Sequence, residues 1–215
     1  MVLKMQYLHL WTPLALAVFG GIMLILQLSL LRGFIKVYRV MSSRELSIMM
    51  ASFIAFSIGS ILLILVNIYA YYTFYSLGYG YMELYRKIGL MLYEILLALG
   101  FLILIMPSML KTGKVATLLA VESLLSTLDG MLHIINIIII LEMIILLLYY
   151  FRHGGREMLS GRLWVISLVL IAVSRFVNLL PMQPLSDLFS IFMDLLAFIS
   201  LYIMKLELDF SLEGE

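Results

Sequence analysis

Apolar runs long enough to cross a bilayer follow one another along almost the whole chain, separated by short polar or basic stretches. About 20 apolar residues in a helix span a hydrocarbon core of roughly 30 Å. On that measure residues 11–31, 46–72, 88–110, 163–180 and 185–203 each predict a membrane helix. The first opens on Trp11, Thr12 and Pro13 and closes on Arg32, Lys36 and Arg39. Its apolar run is too long for a signal peptide and no small-residue cleavage site follows, so it reads as a retained helix. Residues 73–81 form an aromatic, glycine-bearing stretch suited to a membrane–water interface. Pro181-Met182-Gln183-Pro184 turns the last two spans into a hairpin, and residues 205–215 make a short acidic tail, expected in the cytoplasm. No polar stretch exceeds about a dozen residues, which is too few for a folded soluble domain, so a single integral membrane domain over 1–215 is expected.

The tract from 115 to 151 decides how many spans there are. It is apolar throughout except for a stripe of Glu122, Ser126, Asp129, His133 and Asn136, spaced by four, three, four and three, which puts them on one helical face. As one helix the tract would be about 55 Å long, nearly twice the hydrocarbon core. The turn-favouring pair Asp129-Gly130 would instead split it into 115–128 and 131–151. Basic residues arbitrate. Seven spans with the N-terminus outside place Arg32, Lys36, Arg39, Arg44, Lys111, Lys114, Arg152, Arg156, Arg162 and Lys205 on the cytoplasmic side, leaving only Lys4, Arg86 and Lys87 outside. Six spans move Arg152 to Arg162 outside and erase most of that bias. The expected fold class is all-α, a polytopic membrane helix bundle of seven transmembrane helices with six as the alternative. Its N-terminus is expected outside and its C-terminus in the cytoplasm.

Composition agrees and narrows the chemistry. Of the 215 residues 64% are hydrophobic and 13% charged, with a mean hydropathy of +1.13, whereas a soluble domain has about a quarter of its residues charged. The net charge of +1 gives no field for nucleic acid. Cysteine is absent, which removes disulfides, thiolate nucleophiles, iron–sulfur clusters and thiolate zinc sites together. The expected location is a cell membrane, multi-pass, and the apolar density is compatible with a prokaryotic one.

Ionisable groups cost roughly 2.5 to 3.5 kcal/mol each on insertion into hydrocarbon, so those inside spans are functional candidates by default. Glu94, Glu122, Asp129, His133 and Asn136 are the candidates for a ligand or ion path. Arg175, Asp187 and Asp194 are candidates for interhelical ion pairs, since folding about 181–184 sets Asn178 level with Asp187 and Arg175 level with Ser190. Asn67 and Asn178 add supporting polarity. The alternative for the arginine set is a structural clamp, and Glu94 could equally be a protonated, inert carboxyl. Glu142 lies on a different face from the stripe. Ser123, Ser126, Thr127, Ser174 and Ser190, like Gly20, Gly21 and Gly59, suit close helix packing. A single buried histidine makes a poor metal site, so no metal and no cofactor are expected. No HExxH pair, GxSxG elbow, P-loop or repeated acidic motif is present, and no enzymatic activity is expected.

One internal echo bears on layout. Arg44-Glu45-Leu46-Ser47 after the first span resembles Arg156-Glu157-Met158-Leu159-Ser160 after the fifth, as in a three-plus-one-plus-three arrangement of parallel repeats. In size and layout the chain resembles the sugar-transporting SWEET family. That family sets prolines within its helices as hinges, whereas Pro13, Pro107, Pro181 and Pro184 lie near helix ends, and none of its residues is carried over. The layout also looks like the seven-helix sensor regions that precede signalling domains in prokaryotic kinases. Either likeness is one of architecture. The sequence therefore implies a polar intramembrane interior that moves or binds a small solute or ion. The alternative is a non-catalytic seven-helix sensor or accessory subunit acting through a partner. Expected partners are the lipid bilayer and either further copies of the chain or a membrane partner protein, with no nucleic acid.

Overall fold

The computed structural model describes residues 2–40, 42–110, 128–152, 159–180 and 185–213, all but a few of them helical. Six helices appear among them: α1 Val2–Val40, α2 Arg44–Leu77, α3 Tyr79–Leu110, α4 Leu128–Arg152, α5 Leu159–Asn178 and α6 Leu185–Glu213. Five of these, all but α5, are long and apolar enough to cross a membrane. The chain folds as a helical membrane bundle. Ser43 starts α2 by accepting a hydrogen bond from the Leu46 amide at 3.2 Å, the side-chain cap that an orphan N-terminal donor needs. Gly78, at φ 89°, supplies the left-handed residue that turns α2 into α3.

That turn changes one boundary. The aromatic stretch 73–81, expected to suit a membrane–water interface, is helical on both sides of Gly78. Helix α3 consequently begins nine residues before the expected start of its span at Ile88, and Arg86 becomes part of a buried helix face, 1% exposed.

Helix directions follow from side-chain partners. Arg86 of α3 meets Asp187 of α6, and Tyr93 of α3 meets Asp194 of α6, so these two helices run in parallel. Ser174 bonds Ser190 and Ser200 reaches the Leu163 carbonyl, so α5 is antiparallel to α6. Asn136, early in α4, and Asn178, ending α5, both donate to Glu94. Residues 153–158 join Arg152 to Leu159, and seven peptide steps reach at most about 25 Å. Helix α4 must therefore run back along α5, since the opposite direction would leave those ends roughly 50 Å apart. It is parallel to α3.

The bundle has two chemically different halves. Toward the Lys205 end the core is aromatic: Phe56 packs against Phe53, Phe101 and Phe198 with ring centroids 5.5, 4.9 and 5.9 Å apart, and Phe34 against Phe53 at 5.2 Å. Toward the Arg86 end the buried residues of α3 to α6 include the charged and polar Arg86, Glu94, Asn136, Arg175, Asp187 and Asp194 among apolar ones such as Met82 and Leu90. Helices α1 and α2 meet through close packing, Gly20 lying against Ile64 and Leu63, with Gln27 accepting a 3.0 Å hydrogen bond from Ser60.

Candidate functional site

Glu94 is the centre of the polar half. One turn of helix separates the positions that carry Arg86, Leu90 and Glu94, so they share a face of α3. That face looks onto α4, α5 and α6. Glu94 Oε1 accepts from Arg175 Nη1 at 2.9 Å and from Asn178 Nδ2 at 2.6 Å. Its Oε2 accepts from Asn136 Nδ2 at 3.3 Å, whose other proton goes to the Leu132 carbonyl at 2.9 Å. Arg175 in turn pairs with Asp194 through Nη2, which also donates to Ser174 Oγ at 2.8 Å. Tyr93 donates to Asp194 Oδ2 at 3.0 Å. Glu94 and Asn136 are 1% exposed, and Arg175 and Asp194 have no exposure at all.

Four helices thus share one hydrogen-bonded chain, Asn136 to Glu94 to Arg175 to Asp194 to Tyr93. Burying a charge is tolerable only when it is paired and hydrogen-bonded, and this chain supplies both conditions for the arginine. A second cluster lies nearer the helix ends, where Arg86 bridges Glu83, one turn back on α3, and Asp187 at the start of α6.

Between the two clusters is a cavity of about 340 Å³. Lys87, Glu94, His133, Asn136, Asn178 and Asp187 form its polar wall, completed by Leu90, Leu132, Leu179 and Leu180. It has room for several waters or a small solute, and its polar wall includes both signs of charge.

The sequence candidates divide accordingly. Glu94, His133, Asn136, Asn178 and Asp187 converge on the cavity, although His133 and Asn136 were grouped with a stripe and the others were not. Glu122 and Ser126 lie outside the described residues, as does the side chain of Asp129, whose backbone is in the first turn of α4. Asp187 was expected to pair with Arg175; its partner is Arg86. Arg175 instead joins Asp194 to Glu94. Asn67 stays apart, donating to the Leu63 carbonyl at 2.8 Å on α2 and facing Gly89. Glu142 is 1% exposed, and its Oε2 has no hydrogen-bond partner among the described residues. Among the described residues no group of three or more His, Asp or Glu could hold a metal ion.

Arg86 and Tyr93 were missed. Arg86 looked like half of an external basic pair because the apolar run begins after Lys87, and only the early start of α3 brings it inside. Tyr93 carried one available signal, its position beside Glu94, but thirteen tyrosines in the chain diluted it.

Fold and site together define a multi-pass helical membrane protein with a buried ionic network in one half. No family model, no curated protein and no solved structure matches the chain.

Proposed function

We propose that this protein binds a small solute or ion in the Glu94 cavity and moves it across the membrane, as a bundle of seven spans with its N-terminus outside and its C-terminus in the cytoplasm. The observation that carries the reading is the coincidence of a 340 Å³ cavity with a carboxylate held by three donors from two other helices. A structural clamp needs the pair alone; a polar cavity beside it gives a ligand somewhere to sit.

The seven-span topology draws support from helix direction. Glu94 to Leu110 advances roughly 24 Å toward the Lys205 end, and Leu128 to Asn136 covers roughly 12 Å on the Arg86 side at 1.5 Å per residue. Since α3 and α4 are parallel, residues 111–127 join opposite ends of the bundle, a separation of roughly 36 Å along its axis. That separation between Leu110 and Leu128 is what the seven-span proposal requires. Arg32, Lys36, Arg39, Arg44 and Arg162 then share the Lys205 end, which the positive-inside rule assigns to the cytoplasm. The cavity belongs to the outer half.

Reconstitution into liposomes with a panel of solutes and an imposed proton gradient tests the function. Flux that is lost in Glu94→Gln is the expected result. Absence of flux for every solute, together with co-purification of another membrane protein, would replace transport by an accessory role. Cysteines introduced singly at residues 80 and 212 of this cysteine-free chain should label from opposite sides of intact cells, and labelling from one side would sink the seven-span topology.

A further inference from the structure

Counting charges in the inner network leaves one too many. Arg175 is a single cation between two carboxylates, Glu94 and Asp194. Asp194 is fully buried and is fixed by Arg175 and Tyr93. Glu94 is the acid that lines the cavity. Lys87 adds a cation to the cavity wall, but Arg86 is shared between Glu83 and Asp187, so among the described residues a negative charge is still in surplus, and burying it is costly unless something neutralises it.

Hydrogen-bond capacity shows where neutralisation would occur. A carboxylate accepts about four hydrogen bonds, two per oxygen. Oε1 of Glu94 has both, from Arg175 and Asn178, while Oε2 has one, from Asn136. One acceptor position on Oε2 is left over.

The amides around it point the same way. Asn136 has spent both its protons, on Leu132 and Glu94, and its Oδ1 has no partner among the described residues. Asn178, 9% exposed, has likewise turned its Nδ2 to Glu94 and left Oδ1 without one. Buried oxygens without donors are uncommon and expensive. Both residues line the cavity. A half-turn of either amide about its last side-chain bond would exchange its nitrogen for its oxygen beside Glu94, converting a hydrogen-bond donor into an oxygen ligand.

We infer that Glu94 Oε2, with the side-chain oxygens of Asn136 and Asn178, is a site for one exchangeable monovalent cation, a proton or a sodium ion, reached through the cavity. This rests on the reading of the cavity as a binding site and names what it takes. Among the described residues the charged or titratable groups packed around the site are these. Tyr93 and Lys87 come from α3, His133 from α4, Arg175 from α5, and Asp187 and Asp194 from α6, with Asp187 held by Arg86. Oxygen ligands suit hard cations, and the nearby arginine disfavours a divalent one.

Binding is measured on the purified full chain in detergent, without any flux assay, so that failure to transport and failure to bind remain separate results. Sodium is titrated against choline at constant ionic strength while radioactive sodium binding and the thermal midpoint are followed from about pH 5 to about pH 9, a range that reaches the values of about 8 to 9 documented for buried glutamates. If the ion is sodium, one equivalent binds and the midpoint rises. Apparent affinity then falls roughly tenfold per pH unit on the acid side, where protons compete for the carboxylate. If the ion is a proton, sodium does nothing, and the infrared band of a protonated carboxyl appears and disappears across the range in wild type but not in Glu94→Gln. Asn136→Leu, which removes one orphan oxygen, should weaken sodium binding or displace that titration by at least about tenfold, the equivalent of roughly 1.4 kcal/mol. It also serves if Glu94→Gln fails to fold. Wild-type protein that binds no sodium and shows no titrating carboxyl band overturns the inference, as does a response unaltered by both substitutions.

Discussion

The two halves of this bundle bury similar helices with opposite chemistry. Near the Lys205 end, Phe34, Phe53, Phe56, Phe101 and Phe198 fill the space between α1, α2, α3 and α6. Near the Arg86 end, the equivalent space among α3, α4, α5 and α6 is occupied by Arg86, Glu94, Asn136, Arg175, Asp187 and Asp194, and a cavity remains. Rings pack to crystal-like density and need no partner beyond contact. Charged groups must satisfy direction as well as distance, and they leave gaps where geometry forbids filling. The rings therefore fill the space among α1, α2, α3 and α6, while the ionic groups leave room among α3, α4, α5 and α6.

The largest effect expected from breaking this contrast is at Arg175. Arg175→Met keeps the volume and removes the cation, leaving Glu94 and Asp194 as buried acids without it. A loss of about 3 to 5 kcal/mol follows, the usual result of removing one partner from a buried pair, read as a lowered midpoint of unfolding in detergent. Adding Glu94→Gln and Asp194→Asn should restore most of that stability but not activity. If the triple variant is as unstable as the single one, the network's charges are not what its members contribute.

In the aromatic half the corresponding test is Gly100→Ala. A Cβ at Gly100 would collide with the Phe56 ring, which is itself 2% exposed and wedged against Phe101 and Phe198. Overpacking of this kind costs about 1 to 3 kcal/mol. Because the ring cannot move without disturbing its neighbours, the loss is read as a lowered midpoint of unfolding in detergent. A Gly100→Ala variant as stable as wild type would mean that the ring packing is looser than its spacings imply. Below this comes Asp187→Asn, which removes one of Arg86's two acid partners while Glu83 remains. The expected cost is about 1.5 kcal/mol, at the lower end for hydrogen bonds to charged groups.

How much of this was legible in the sequence depends on how local the determinants are. The α5–α6 hairpin is short-range: Pro181 and Pro184 mark the turn, counting outward from it sets Arg175 beside Ser190, and Asp194 is one turn beyond. The Arg175 to Asp194 pair needs little more than that count. The halves of the network contributed by α3 and α4 are long-range, and helix register alone cannot place them. Glu94 and Asn136 stood out as polar residues in apolar tracts, yet nothing in either segment says that they touch, because that depends on which helices become neighbours. Arg86 was hidden by a boundary. Apolar counting begins a span where charges stop, whereas α3 begins at Gly78, where the backbone can turn. The aromatic cluster had no signal either, since twelve phenylalanines spread over the chain do not announce which of them meet.

The smallest expected effect is the most direct check on the contrast itself. Ser60 and Gln27 make an isolated polar contact between α1 and α2, both side chains fully buried and outside the ionic network. Gln27 Nε2 already has no partner among the described residues, so the amide is only half used. Ser60→Ala removes the hydroxyl donor and leaves the Gln27 oxygen bare, but a flexible amide on a helix can turn toward a carbonyl of its own backbone, and the close packing of Gly20 against Ile64 remains. Interhelical hydrogen bonds in membranes average about 0.6 kcal/mol by double-mutant cycles, and that is the expected cost here. Unfolding of Ser60→Ala, Gln27→Leu and the double variant measures it as a coupling energy. A coupling as large as the loss in Arg175→Met would show that an uncharged contact in an apolar setting holds the bundle as firmly as the ion pairs do. The polar half would then owe its distinctness to its cavity and not to its charges.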